Sequence, residues 1–312
     1  MNELKSTVLP MSPLADPVFS GMFANAEVAG LAMESFIRAV LEADSEKLSG
    51  KIVSVTPQRV HMSAKRRSCR VDIESDTDAN EHIVTEIQID ADTRLMVRNL
   101  FSSSHIFKET SEKGDTFAEM AYKMPRVIHI NLLDHSIRKN STELLEPFKI
   151  MYIKPPAEIA IPNFSGYNVQ LPKIEKMKPN FDNALYNWCY ALYHAHSKGV
   201  TLQEVIDMTN ELKNYKVLDP GFRQFCERYD FVAADPKTQK EYVNWVKDLM
   251  REQGAREASW LRGIDEGREE GILKGIETVA INMLKKNRTA EDVADATNLP
   301  VERIYALLDN VS

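Results

Sequence analysis

Two short stretches of alternating sequence carry the residues best suited to chemistry. The stretch Arg70-Val-Asp72-Ile-Glu74 is followed, after a cluster of turn residues at 76–80, by Val84-Thr-Glu86-Ile-Gln88. Successive side chains of a strand point to opposite faces, so Glu86 and Gln88 share one face and Ile87 points to the other. If the two stretches pair as a hairpin, Asp72 and Glu86 converge on one side of a sheet.

Two carboxylates at neighbouring strand centres repel one another unless a cation lies between them. Mg²⁺ takes one or two protein carboxylates and keeps its other positions for water and phosphate oxygens. We therefore expect Asp72 and Glu86 to bind Mg²⁺, with Mn²⁺ as a substitute and the main-chain carbonyl of Ile87 as a further ligand. Gln88 would orient the attacking water or a phosphate oxygen. The alternative is that these acids form the solvated face of a half-buried sheet.

A basic segment lies directly before the first acidic stretch. Residues 58–71 contain no acid and five basic residues, which are Arg59, Lys65, Arg66, Arg67 and Arg70. The chain as a whole has a net charge of −7, so this segment stands out locally. A phosphodiester substrate needs cations of this kind near a metal site. We expect Lys65, Arg66, Arg67 and Arg70 to contact DNA; the alternative is a solvated basic loop.

The composition excludes several classes of protein. The chain has 312 residues, 43% of them hydrophobic, which suits a folded protein with a substantial core. No apolar run reaches the length of a membrane span, and the first ten residues contain no apolar signal-peptide core. The three cysteines are far apart in the sequence, which is typical of a reducing compartment. We expect a cytoplasmic protein without a membrane segment.

Hydrophobic periodicity predicts a mixed α/β region in the first half of the chain. Apolar residues recur at helical spacing over 26–41 and again over 92–108. Alternating or β-branched runs predict strands at 51–56, 69–75, 81–89, 127–133, 148–153 and 167–171. The run at 127–133 is almost continuously apolar, as expected of a strand that is buried on both faces.

The second half of the chain is predicted to be helical. Five prolines between 154 and 180 indicate loops and the end of a first domain. We therefore expect domains at 1–180, 181–250 and 251–312. The last of these begins with glycines at every fourth residue from Gly263 to Gly275, which predicts a solvated, loosely helical connector. The short helices that follow are slightly acidic, so they favour packing or homo-oligomer formation over DNA binding.

Several short motifs occur in an order that resembles the PD-(D/E)XK nuclease family transposases, a group of recombination-promoting nucleases. An Asp-x-x-Phe-x-x-x-Phe element begins at Asp16, with Ser20 where lysine is usual. The remaining matches are Asp72-Ile73, Glu86-Ile87-Gln88, Arg94 and Arg98 in a helix, the strand 127–132, Leu171-Pro172-Lys173 and the Gly/Glu-rich segment 267–271.

The resemblance implies a restriction-endonuclease-like mixed sheet flanked by helices, followed by an all-helical C-terminal region. It implies a metal-dependent DNA endonuclease associated with recombination or transposition, with Asp72 and Glu86 as its acids. Gln88 stands where the wider nuclease class has lysine, and a neutral amide can only orient or hydrogen-bond. The alternative is therefore a non-catalytic DNA-binding or protein-interaction module.

Three further residues are candidates for the same site. Arg98 lies on the arginine-bearing helix of the resemblance, and Glu34 lies on the polar side of the first long helix. Asp16 is a candidate carboxylate, although the capping of a helix that begins at Pro17 also explains it.

Overall fold

The protein is described here by a computed structural model, which covers residues 10–23, 26–58, 60–61, 69–89, 94–138, 140–156 and 158–308. Within these residues the strands are β1 (Ile52–Pro57), β2 (Val60–His61), β3 (Cys69–Arg70), β4 (Ile73–Thr77), β5 (Glu81–Gln88), β6 (Arg126–Leu133), β7 (Leu145–Lys149) and β8 (Phe164–Gln170). The helices that precede β8 in sequence are α1 (Asp16–Met22), α2 (Ala26–Ala43), α3 (Leu95–Glu109) and α4 (Phe117–Lys123).

After β8 the described chain is helical, as the sequence predicted. A 3-10 helix at Leu171–Lys176 precedes α5 (Ala184–Lys198), α6 (Leu202–Asp207), α7 (Asn210–Leu218), α8 (Pro220–Ala234), α9 (Pro236–Leu284), α10 (Ala290–Thr297) and α11 (Val301–Leu308). The glycine repeat lies inside α9 and is exposed, which agrees with the helical and solvated character that the sequence predicted for it. None of the described helices is both long and apolar enough to span a membrane.

The described residues form a six-stranded mixed sheet in the order β1-β4-β5-β6-β8-β7. The strands β1, β4 and β5 are antiparallel, β5, β6 and β8 are parallel, and β7 is antiparallel to β8. This confirms the predicted hairpin and the buried strand over 127–133. The strand predicted at 148–153 is wrong in position: pairing with β8 ends at Lys149, because the next residues bond instead to the backbone of 158–160.

The two faces of the sheet differ in what covers them. Ile73, Ile83, Ile130 and Tyr167 are buried in one large cluster that also contains apolar residues of α1, α2, α5 and α8. On the opposite face, Val84 and Val127 pack with Ile106 of α3. The positions next to Val84 on this second face carry polar residues, and these residues form the candidate site.

The chain divides by internal contacts into two compact units, Met1–Trp245 and Val246–Ser312. The large apolar cluster of the first unit contains buried residues from Met11 to Ala233, so the sheet and the helices α5 to α8 share one core. In the second unit a small cluster joins the end of α9 to α10 and α11. The domain bounds 1–180, 181–250 and 251–312 stay a prediction about independently folding units.

Gly221 sets how closely α8 approaches α2. A Cβ atom at Gly221 would lie 2.4 Å from the carbonyl oxygen of Leu31 and 2.4 Å from the Cβ of Ser35. We expect Gly221→Ala to lower the free energy of unfolding by about 2–3 kcal/mol, because the clash is with backbone and cannot be relieved by a rotamer change.

Gly30 provides a matched control in α2, because a Cβ there meets no described atom within 4 Å. Gly30→Ala should stabilise the protein by up to about 1 kcal/mol through helix propensity alone. Urea unfolding of the two variants measures both effects. Equal stability changes in the two variants would contradict the close α2–α8 approach.

Candidate functional site

Asp72 and Glu86 meet where β4 begins and β5 approaches its end. Ile73 pairs with Thr85 in the antiparallel register, so the next position outward places Asp72 opposite Glu86. The main-chain N–H of Ile87 donates a hydrogen bond of 2.8 Å to Oδ2 of Asp72. This bond holds the Asp72 carboxylate against β5, although Asp72 itself lies just outside the regular strand.

Glu86 is a buried carboxylate. It is only 6% exposed, and its Oε2 accepts a hydrogen bond of 3.2 Å from Nη2 of Arg98 in α3. Burial raises the pKa of Glu86 well above its ordinary value, and the charges of Asp72 and Asp16 raise it further, whereas Arg98 lowers it. The native fold therefore opposes ionisation of Glu86, and the bonded guanidinium only partly offsets this effect.

Asp16 contributes to this group from the start of α1. It is exposed, and its charge acts on Glu86. The interpretation of Asp16 as a helix N-cap is wrong: Ala15 occupies the N-cap without a side-chain bond, and Asp16 and Pro17 are the first two helical residues. The short helix thus presents a third carboxylate near the strand pair.

Gln88 and the carbonyl of Ile87 complete the end of β5. Gln88 lies two residues beyond Glu86 on the same face, is half-buried, and its carbonyl accepts from the N–H of Asp134 at 3.2 Å. The N–H and C=O of one strand residue face the same neighbour. Because the Ile87 N–H faces Asp72, its carbonyl oxygen faces the same side.

Glu34 is not brought to this site. Glu34 accepts a 2.9 Å hydrogen bond from Arg38 and one of 3.5 Å from the N–H of Ile52. Ile52 pairs with Thr77, at the far end of β4 from Asp72, so Glu34 lies at the opposite end of the strands. Arg59 and Lys65, Arg66 and Arg67 lie outside the described residues, and for Arg70 only the backbone of β3 is described.

A second acidic group, which the sequence analysis did not single out, lies on the same face of β4 and β5. Nδ1 of His82 lies 2.6 Å from Oδ1 of Asp76 and 3.7 Å from Oε1 of Glu74. The three side chains are close enough together to share a metal ion. The signal for this group is the alternation of acids at 74 and 76 opposite a histidine.

The protonation of His82 favours an ion-pair cluster over a metal site. Burial alone would lower its pKa, but the hydrogen bonds to Asp76 and Glu74 and their charges raise it to about 9. At neutral pH the imidazole therefore carries both protons, and a metal ion would have to displace one of them to bind.

This cluster gives a pH-dependent contribution to stability. Because the pKa of His82 is raised above its unfolded value, the stabilisation is complete below about pH 6.5 and is lost as the pH rises through about 9. We expect His82→Asn to cost about 1–3 kcal/mol at pH 6 and much less at pH 10. Denaturant unfolding of both proteins at the two pH values tests this; a cost independent of pH would contradict it.

A buried polar ladder fixes α3, which carries Arg98, against the sheet. Nδ2 of Asn99 donates to Oδ1 of Asn131 at 3.2 Å, and Nδ2 of Asn131 donates to Oδ1 of Asn168 at 2.9 Å. One turn further along α3, Oγ of Ser103 lies 2.7 Å from Nε2 of His129, whose complete burial lowers its pKa to about 3. His129 is therefore neutral, and these uncharged bonds set the position of Arg98 beside Glu86.

A comparison with protein-family models matches residues 13–257 to the PD-(D/E)XK nuclease family transposase. The match covers well over half of the chain and includes every element of the site. The mixed sheet with its flanking helices and long helical C-terminal region agrees with that nuclease fold, as the sequence resemblance implied. Searches of curated proteins and of solved structures found no match.

Proposed function

The chain belongs to the PD-(D/E)XK nuclease family transposases, and from that membership and the acidic site we propose that it hydrolyses phosphodiester bonds in DNA with a divalent cation. Family membership supports a nuclease-like function. The observation that carries the proposal further is the buried Glu86 opposite Asp72, with Asp72 fixed by the Ile87 amide.

The donor set at this site fits a hard divalent cation. The charges of Asp72 and Asp16 act on Glu86, and all three groups offer carboxylate oxygens of the kind that Mg²⁺ and Mn²⁺ prefer. Asp72 accepts the hydrogen bond of the Ile87 amide with Oδ2, which fixes its carboxylate beside β5. Asp72, Glu86 and the Ile87 carbonyl would hold the ion, and Asp16 would add a carboxylate through water or directly.

When bound, such a cation lowers the pKa of a coordinated water and stabilises negative charge on a phosphoryl oxygen. The side chains around the cation have the other roles in the proposed reaction. Arg98 shares the charge of Glu86 and keeps its carboxylate oriented, and Gln88 donates a hydrogen bond that orients either the water or a phosphate oxygen. The amide of Gln88 cannot act as a base, so proton transfer falls to water or to a carboxylate.

The second candidate function is a DNA-binding or protein-interaction module without hydrolysis. The observation that favours it is Gln88, which has a neutral side chain where the wider nuclease class has a lysine. The two functions differ in their need for metal: hydrolysis requires a cation that offsets the burial and the two neighbouring acids opposing ionisation of Glu86, whereas a binding module does not.

The remaining sequence-based expectations belong to this proposal. The substrate is DNA, contacted by Lys65, Arg66, Arg67 and Arg70, and the biological setting is recombination or transposition in the cytoplasm. The C-terminal helices provide a surface for a second copy of the chain. Their small apolar cluster supports a folded module at this end.

The proposed function is tested by incubating supercoiled plasmid with the full chain in Mg²⁺, in Mn²⁺ and in chelator. Nicked or linear DNA that forms only with a divalent cation is the expected result. If the protein binds DNA equally in all three conditions and leaves it intact, the non-catalytic function is the correct one.

A further inference from the structure

A polar surface pocket lies at the same edge of the sheet as the acidic site. It has a volume of about 560 Å³ and lies between the loop before β7 and the segment after β8. Its lining includes Lys173, Lys176 and Lys178. The carboxyl ends of the parallel strands β5 and β8 lie at the same end of the sheet, so the lysine pocket, which follows β8, is at the strand ends near Glu86 and Gln88.

The lysine pocket is basic in a protein that is acidic overall. Its three lysines are opposed by Glu143 among the lining residues, whereas the chain has a net charge of −7. Ser141 and Thr142 add hydroxyl donors to the wall. A second pocket shares this loop and includes Arg138. Lysines together with hydroxyl donors are typical contacts of phosphate oxygens.

Buried side chains hold the wall of the pocket in place. Nζ of Lys173, whose residue is only 7% exposed, donates hydrogen bonds to the carbonyl oxygens of Arg138 and Ser141. Gln170 is fully buried, donates to the carbonyl of Glu143 at 3.1 Å and accepts from the N–H of Ile137 at 2.9 Å. A wall that is already ordered costs little conformational entropy when an anion binds.

The strand that leads into the pocket is close to the strand that carries Glu86. Two strand spacings separate β5 from β8, which is about 10 Å. One DNA strand rises about 3.4 Å per nucleotide, so this separation corresponds to about three nucleotides. A DNA strand that extends a few nucleotides from the acidic site would therefore pass the end of β8, after which the lysines of the pocket follow in the chain.

We infer that the lysine pocket binds a backbone phosphate of the DNA whose scissile phosphate lies at Asp72 and Glu86, with Lys176 and Lys178 as the contacts. Both lysines are exposed at the pocket, whereas Lys173 is committed to the loop carbonyls. The inference rests on the proposed function for its choice of DNA. The pocket contributes affinity and position rather than sequence preference, because phosphates carry no base identity.

The test is DNA binding by the full chain carrying Glu86→Gln, so that cleavage does not interfere. Fluorescence anisotropy of a labelled duplex is measured across a series of salt concentrations, with and without Lys176→Ala/Lys178→Ala. We expect the double change to weaken binding by at least about threefold and to reduce the salt slope by about 1–2, as for the loss of one or two phosphate contacts.

The matched control is Lys47→Ala/Lys51→Ala, which removes the same charge from the opposite end of the strands. Both of these lysines are exposed, and Ile52, next to Lys51, pairs with Thr77 at the far end of β4. If the two double variants have the same affinity and salt slope, the inference is wrong. Thermal melting shows whether each variant is folded.

Two further arms separate DNA from free phosphate and separate this inference from the proposed function. Calorimetry with inorganic phosphate is run on the same proteins; phosphate binding that needs Lys176 and Lys178, together with unchanged DNA affinity, would overturn the DNA assignment. If DNA binding depends on Lys176 and Lys178 but the wild-type chain does not cleave DNA, the inference is supported and the hydrolytic function is wrong. If the wild-type chain cleaves DNA but DNA binding does not depend on Lys176 and Lys178, the hydrolytic function is supported and the inference is wrong.

Discussion

Glu86→Gln is expected to reduce metal-dependent DNA cleavage by at least about 1,000-fold, the scale of the loss when a group that stabilises the transition state is removed. The same change should stabilise the metal-free protein, because the amide keeps the shape of the side chain and replaces a carboxyl group whose ionisation burial, Asp72 and Asp16 oppose in the folded state. A gain of about 1 kcal/mol would raise the Tm by about 2–4 °C.

The stability gain has a definite pH dependence. The folded-state pKa of Glu86 is raised, so the wild-type protein loses stability as the pH rises through and above the normal range of a glutamate. The advantage of the glutamine variant should therefore grow from pH 5 to pH 9. Adding Mn²⁺ should raise the Tm of the wild type and leave that of the variant unchanged, since only the first binds the ion.

Glu74→Gln is the matched control for this prediction. Glu74 is 1% exposed and lies on the same face of the same strand pair, but it pairs with His82. We expect this variant to retain cleavage. Loss of cleavage in Glu74→Gln with normal activity in Glu86→Gln would instead place the metal at Glu74, Asp76 and His82.

Asp72→Asn is expected to weaken binding of Mn²⁺ by at least about 100-fold, because the amide oxygen is a much poorer ligand than a carboxylate for a hard cation. The fold should survive, since the asparagine oxygen can still accept the hydrogen bond from the Ile87 N–H. Titration calorimetry in two buffers of different ionisation enthalpy measures the affinity and the proton release together. The wild type should release protons on binding, because metal must displace the proton that the raised pKa of Glu86 retains.

Asp76→Asn is the matched control for Asp72→Asn. Asp76 is on the same strand and face as Asp72, but its carboxylate contacts His82. Its loss should leave Mn²⁺ affinity within about twofold of wild type and lower stability at pH 6, where His82 is protonated. Unchanged Mn²⁺ affinity in Asp72→Asn would contradict the proposed metal site.

Pairing of the central strands could be predicted because local sequence determines it. The alternation around Asp72 and Glu86, with turn residues between, permits one register in which the isoleucines face the apolar core. The continuous apolar run of β6 likewise predicts a strand covered on both faces. Strand β7 was misplaced because its residues are only half-buried, so its hydrophobic pattern is weak.

The contributions of Asp16 and of Glu34 depend on packing that short-range patterns do not report. Asp16 lies near enough for its charge to raise the pKa of Glu86, because α1 packs through Phe19 and Met22 into the core that it shares with the sheet. Glu34 instead accepts hydrogen bonds from Arg38 and from the start of β1, at the opposite end of the strands. Asp16 lies next to a predicted helix start and Glu34 lies in the middle of a predicted helix, and neither position shows which of the two acids is near Glu86.

The sequence by itself determined the family, the mixed sheet, the helical second half and the pairing of Asp72 with Glu86, because these follow from alternation and from motifs read along the chain. Only the tertiary structure decided how strongly Glu86 is buried, that Arg98 bonds to it, and that an asparagine ladder holds α3 in place. The lysine pocket also depends on the tertiary structure, because strands distant in sequence bring the loop before β7 beside the segment after β8. Burial and charge interactions between such segments are set by packing in three dimensions, and no spacing along the chain encodes them.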